Sequence, residues 1–377
     1  MTEVVIAGIG MTPVGEHWDL SLRTLAARAI LSAEKDAGGL KPQALYIGNF
    51  LGSMVSHQAN LGALITDNSG LGGIESFTIE AAEASGAAAL HMAYLAVSSG
   101  FVDTAMALGV EKVTDMTDGV EKILATGLDF DYEGFEGVTP AAQAALLMQR
   151  YIYQYGVGHA AFNWLPLLAH TNAVHNPNAM YRKALKPEVL QSAPPVVDPL
   201  TLYDIAPYAD GAAAVILTRS GLLPKKPVQK PVRLLGSSVI TDALALYDRP
   251  DPLRFEAARR SVEQACRQAG ILPGDVDLFE VDDFTSIYAV LALEAAGFAL
   301  PGEGTQLSER GHVPLLTMGG SKARGCPVGA SGLYQVCEAV TQLRGQAGAL
   351  QVPGARLAMT QSLGGPASTA VTHILKV

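Results

Sequence analysis

Few residue types in this chain are placed to do chemistry. Its eight histidines include no HExxH pair, and His170 and His175 stand five apart, so their spacing names no metal site. The three cysteines, Cys266, Cys326 and Cys337, form no CxxC pair and are too few for a disulfide framework; they read as free thiols of a cytoplasmic protein. The amino-terminal GIGMTPVG at 8–15 sets its third glycine too late for a phosphate-cradling turn and a proline where the helix should begin, which argues against a dinucleotide site. The string GGSKARGCPVGASG at 319–332 is richer. It follows a short apolar run, opens a helix, and carries glycine where a backbone must come close to a ligand or another chain element.

Such a string needs closely packed elements around it. At 377 residues the chain is two packed domains or one duplicated fold, and 49% apolar against 16% charged residues excludes general disorder. A net charge of -10 without a basic stripe excludes nucleic acid as partner. The amino terminus carries an acid where an export signal needs bases, and no window is apolar enough for a membrane span. Buried runs alternate with Ala-rich helical patterns, giving an α/β class: strands at 4–8, 44–50, 102–109, 231–241, 276–281, 355–361 and 369–376, helices at 20–37, 84–99, 254–269, 286–298 and 330–344. ASG at 84–86 and again at 330–332 each open a helix of similar length, a trace of two related halves. Residues 117–198 lack regular periodicity and read as a loop region over the strand ends, and the proline-rich 223–231 reads as the connector between halves.

Together with IEAAEASGAAALHMAYLAVSSG (79–100), ALGVEKV (107–113), HTNAVHNPNA (170–179), YADGAAAVIL (208–217), EVDDFTS (280–286) and SLGGPASTAV (362–371), the glycine-rich string resembles the thiolase superfamily, and most of all the sterol-carrier-protein type. The blocks run in family order from residue 3 to 376. The resemblance implies a thiolase fold: two βαβαβαββ halves, 1–222 with a loop domain at about 117–198, and 232–377, in a five-layered αβαβα core. It also implies a homodimer or dimer of dimers and a coenzyme-A thioester as substrate with no bound cofactor; several relatives are joined by a small OB-fold/zinc-ribbon partner protein, and the sequence leaves open whether one joins this chain. Residues 102–109, apolar except for Asp103 and Thr104, are the strand expected to continue the sheet across a two-fold axis.

At the site that the resemblance assigns, the sequence departs from the pattern. The family's nucleophilic cysteine, in an EAACASG-like string, falls at Glu83, and the histidine of GHPxGxxG that activates it falls at Cys326. Matching EVDDFTS to the HDCFT or NEAF block from its Phe-Thr end puts Val281 over the thioester oxygen with Asp282 beside it; a one-residue shift puts Asp282 there. The family's last cysteine falls at or near Ser362. Gly364 and Gly365 keep the place of an amide that, with the N–H of residue 83, would form an oxyanion hole. His170 matches a loop-domain histidine and reads equally as a substrate contact or a packing residue; Gly320 and Ser321 are further expected substrate contacts.

A carboxylate at 83 would acylate to a high-energy mixed anhydride, so acid/base chemistry suits it better than covalent transfer. A helix amino terminus favours its ionised form while an apolar surround raises its pKa, and the sequence does not weigh the two. Family members without the cysteine act as retro-aldolases, for which Glu83 or Asp282 would be the base and Cys326 a proton donor or a relocated nucleophile. The alternatives are ordinary acyl transfer and a catalytically silent partner subunit.

Overall fold

The computed structural model describes residues 3–116, 118–309 and 313–377; residues 1–2, Thr117 at the head of the expected loop region, and residues 310–312 lie outside the described residues. The strands are β1 (Val4–Met11), β2 (Ala44–Gly48), β3 (Glu75–Ile79), β4 (Thr104–Glu111), β5 (Pro195–Val197), β6 (Leu200–Thr201), β7 (Gly211–Arg219), β8 (Val232–Thr241), β9 (Leu278–Glu280), β10 (Leu357–Gly364) and β11 (Thr369–Lys376). The helices are α1 (Leu22–Asp36), α2 (Gly52–Val55), α3 (Leu61–Asn68), α4 (Ser85–Ser98), α5 (Val120–Leu124), α6 (Pro140–Tyr155), α7 (Trp164–Ala173), α8 (Pro187–Gln191), α9 (Glu256–Ala269), α10 (Ser286–Ala295), α11 (Gly320–Arg324) and α12 (Ser331–Leu343).

Nine strands form one mixed sheet in the order β3-β2-β4-β7-β1-β8-β11-β10-β9. The order is a duplication read outward from the middle: β1, β7, β4, β2 and β3 on one side answer to β8, β11, β10 and β9 on the other. The fifth place of the second half is a single parallel bridge, Phe279 to Leu315, because Pro314 has no N–H with which to extend a ladder. The sheet passes from one half to the other where Val5 and Ile6 pair with Arg233 and Val232.

Side-chain alternation sorts the layers. On β4, Ala105 and Ala107 face a central core shared with α4 and α12, while Met106, Leu108 and Val110 face α1 and α3. Phe279, Met359 and Ile374 face the opposite outer layer with α9 and α10. The result is a five-layered αβαβα arrangement. Small residues let its middle close: a Cβ on Gly86 would lie 2.8 Å from Gly329 O, and one on Gly332 would lie 2.8 Å from Ala87 Cβ. The two ASG helices therefore start side by side, as the repeat implies. The amino-terminal glycines serve packing too, since a Cβ on Gly10 would lie 2.3 Å from Ala29 O of α1.

Two expectations need correcting. The strand at 103–109 does not lie at an edge: β4 pairs with β2 on one side and β7 on the other, so it has no ladder to offer a second chain. β3 and β9 stand at the two ends of the sheet. The loop region is also more regular than its composition suggests, for α6 spans sixteen residues of it. Its start is capped by Thr139 Oγ1, which accepts the Ala142 N–H, with Pro140 in the first turn and Gly156 closing the end. Buried Ala141, Ala144, Ala145, Met148 and Tyr151 carry the helical period.

Candidate active site

Glu83 stands immediately before α4. Ala82 turns the chain there in the left-handed region, with φ of 50°. Ser85 holds the turn, its Oγ accepting from Ala81 N–H at 2.9 Å and donating to Ala82 O at 2.6 Å. The Glu83 carboxyl group is buried and aimed at the start of the turn after β10, where Gly365 N–H donates to its Oε2 at 2.7 Å; its own backbone N–H bonds it as well. The opposition between helix terminus and apolar surround resolves in favour of burial: the Glu83 pKa is raised in spite of both amides. Those amides are the pair expected to form an oxyanion hole, and both are taken by Glu83 itself.

Asp282 faces the same space from the loop after β9. Its oxygens accept from Phe284 N–H at 3.1 Å and Leu363 N–H at 3.2 Å, yet burial, with the charges of Asp283 and Glu83 adding to it, pushes its pKa up to about 7. Glu83, Asp282, Gly365 and the Tyr288 side chain line one cavity of about 10 Å³, room for about a single water. Leu124, Leu128, Phe284 and Leu363 supply its apolar walls. Thr285 caps α10 by accepting the Tyr288 N–H at 3.3 Å, which fixes the turn that carries Tyr288.

Cys326 lines neither this cavity nor the larger one described below. Its Sγ lies 3.5 Å from Ser331 Oγ, and burial first, with the charges of Asp282 and Glu83, pushes the thiol up to about 12. It is held protonated, unlike a nucleophilic thiolate. Gly320 and Ser321 likewise line neither cavity. Ser321 N–H donates to Asp283 Oδ1 at 2.6 Å, and a Cβ on Gly320 would fall 2.5 Å from Asp283 Oδ2, so this tight turn is built around a buried carboxylate. Val281 is buried among apolar side chains, and Ser362 Oγ is buried with no hydrogen-bond partner among the described residues.

His170 lines a second cavity of about 660 Å³ together with Tyr181, Lys183, Lys186, Tyr203 and Lys322. The ring stacks on Tyr181 at 5.9 Å, and its Nδ1 lies 3.3 Å from Lys183 O. Burial, with Lys322 adding to it, lowers the His170 pKa. Lys322 donates to Asp204 O at 2.7 Å, and burial brings its pKa down to about 8. Between the two cavities stands α5: Leu124 faces the small one, Glu121 faces the large one, and Glu121 Oε1 accepts from Tyr208 OH at 2.6 Å. Tyr208, Tyr288 and Glu121 escape sequence reasoning, because nothing in their spacing ties them to residue 83. Among the described residues no cluster of three or more His, Cys, Asp or Glu is placed to hold a metal ion, and no helix is long and apolar enough to cross a membrane.

Comparison with known proteins agrees with this architecture. The thiolase N-terminal domain family matches residues 4–221, and the family described as thiolase C-terminal domain-like matches residues 238–377. The chain is 39% identical over 382 residues to an acetyl-CoA acetyltransferase of Methanothermobacter thermautotrophicus, covering 99% of each chain. It is 30% identical over 375 residues to the benzoylsuccinyl-CoA thiolase subunit BbsB of Thauera aromatica, covering 96% of this chain and 95% of that one. Among solved structures, the Ltp2-ChsH2(DUF35) aldolase superposes with a TM-score of 0.85 at 22% identity, over 100% of this chain and 98% of that one. With both halves matched in sequence and the duplicated αβαβα core in place, the chain belongs to the thiolase superfamily.

Proposed function

We propose that this protein makes or breaks a carbon–carbon bond of an acyl-CoA thioester by proton transfer, in the manner of a retro-aldolase, without an acyl-enzyme intermediate. The observation that carries the reading is the pair of buried carboxyl groups, Glu83 and Asp282, lining one small apolar cavity that no cysteine lines. Burial raises the pKa of both groups, Glu83 against the pull of its amides and Asp282 to about 7, and the charge of Glu83 adds to the rise at Asp282. Two carboxyl groups that oppose each other's ionisation favour a state with one proton between them, in which one serves as base and the other as acid.

In the cleavage direction Glu83 takes the proton of the β-hydroxyl group. The β-oxygen becomes a carbonyl as the Cα–Cβ bond breaks, its electron pair passes to the thioester as an enolate, and Asp282 returns a proton to Cα. The products are a free carbonyl compound and a shortened acyl-CoA. The larger cavity is suited to the coenzyme-A portion: its volume lies in the range of cofactor sites, and Lys183, Lys186 and Lys322 face it with the charge that phosphates require. The Ltp2-ChsH2(DUF35) aldolase, by its activity and its two-protein composition, fits the same reading and extends it to a small second protein as partner. The test is turnover of a panel of β-hydroxyacyl-CoA thioesters, with release of the free carbonyl product measured directly.

A second reading, a catalytically silent subunit of a larger complex, is favoured by the size of the reaction cavity and by its lining with Phe284 and Tyr288. It predicts coenzyme-A thioester binding without turnover.

A further inference from the structure

An enolate needs a hydrogen-bond donor at its oxygen, and the two backbone amides placed for that task, those of residues 83 and 365, are occupied by the Glu83 carboxylate. Of the remaining residues that line the cavity, Leu124, Gly127, Leu128, Pro140, Phe284 and Leu363 have no polar side-chain atom, and Asp282 already accepts two amides. Tyr288 is different. Its side chain is 2% exposed, its ring packs edge-on to Phe255 at 5.7 Å, and its hydroxyl has no hydrogen-bond partner among the described residues. A buried hydroxyl without a partner is costly to keep unless a ligand completes it. Burial, with the charges of Glu83 and Asp282, raises its pKa, so it stays an O–H donor throughout the working pH range.

We infer that the Tyr288 hydroxyl is the donor to the thioester oxygen of the enolate, a side-chain replacement for the backbone oxyanion hole that Glu83 fills. The inference deepens the proposed retro-aldol reading and rests on it for the source of the enolate. Tyr288 neither gains nor loses its proton. It donates one hydrogen bond that strengthens as negative charge moves from the Cα–Cβ bond onto the oxygen.

Tyr288→Phe keeps the ring and removes only the hydroxyl. Turnover of a β-hydroxyacyl-CoA should fall by about 10²-fold or more, chiefly in kcat, the scale for loss of one oxyanion donor. The thermal midpoint should stay level or rise, because no intramolecular hydrogen bond is lost. A second measurement needs no turnover: acetoacetyl-CoA bound to wild type should show the near-ultraviolet absorbance of its enolate at a lower pH than free in solution, and Tyr288→Phe should abolish that shift. Loss of cleavage in every wild-type assay with the enolate shift intact would remove the retro-aldol reading and leave the Tyr288 assignment standing. An enolate signal equal in wild type and variant, or absent in both, overturns the assignment, as does a variant whose activity and thermal midpoint fall together.

Discussion

At the scale of single residues, the balance between burial and hydrogen bonding sets the chemistry. Asp282 has a folded pKa of about 7, above its unfolded value of about 3.9. Between those values the folded chain holds a proton that the unfolded chain releases, so Asp282 removes stability progressively as pH rises from about 4 to 7. Asp282→Asn should therefore gain on wild type in thermal midpoint between pH 4 and pH 8; a gap that does not change with pH would contradict this. In turnover, wild-type kcat should decline above about pH 7 as Asp282 loses its proton, and Asp282→Asn should be slower and lack that limb. Position 83 was legible from its EAAEASG string alone. Its occupation of the amides was not, because a hydrogen bond between residues 83 and 365 depends on side-chain direction, which spacing does not encode. The string at Gly320 and Ser321 shows the same limit: glycine marks close approach, but only the structure names Asp283 as what is approached.

At the scale of elements, the site depends on how closely α4 and α12 meet. A Cβ on Gly48 would fall 2.4 Å from Gly86 Cα, a backbone atom that cannot rotate away. Gly48→Ala should therefore destabilise by about 1–3 kcal/mol, the range for overpacking, measured by denaturant unfolding; an unchanged midpoint would show that β2 and α4 separate freely. The turn leading to Cys326 is held by a fully buried ion pair, Arg324 Nη1 to Glu338 Oε2 at 2.6 Å, and Asn176 of the loop domain donates to the same carboxylate at 3.2 Å. Arg324→Leu leaves Glu338 buried and uncompensated, at about 3–5 kcal/mol, and adding Glu338→Gln should restore part of the loss. Helices and strands with strong period or strong punctuation could be read from sequence: α1, α4, α9, α12 and β11 fall within about two residues of their expected bounds. β3 was missed because ESFTI is short and half-exposed. The start and stop residues of α6 were present as Thr139, Pro140 and Gly156, but the Tyr, Gln and Arg on its outer face obscured the period.

At the scale of the molecule, the duplicated sheet leaves β3 as an open edge with Phe77 55% exposed, and we propose that a homodimer continues the sheet there. Sedimentation at micromolar concentration should give a dimer that Phe77→Lys weakens; a stable wild-type monomer would refute it. The duplication itself was legible in the two ASG strings, whereas the edge was not, since strand order follows from crossovers that no local pattern records. The central claim remains that Glu83 moves a proton and forms no bond to the acyl group. The most direct measurement pairs turnover of β-hydroxyacyl-CoA thioesters by wild type and Glu83→Gln with mass spectrometry of both proteins after exposure to the same thioesters. The account predicts a loss of about 10²-fold or more in the variant, retained coenzyme-A binding, and no mass added to either protein. An acyl group trapped on Glu83, or a Glu83→Gln variant as active as wild type, would contradict it.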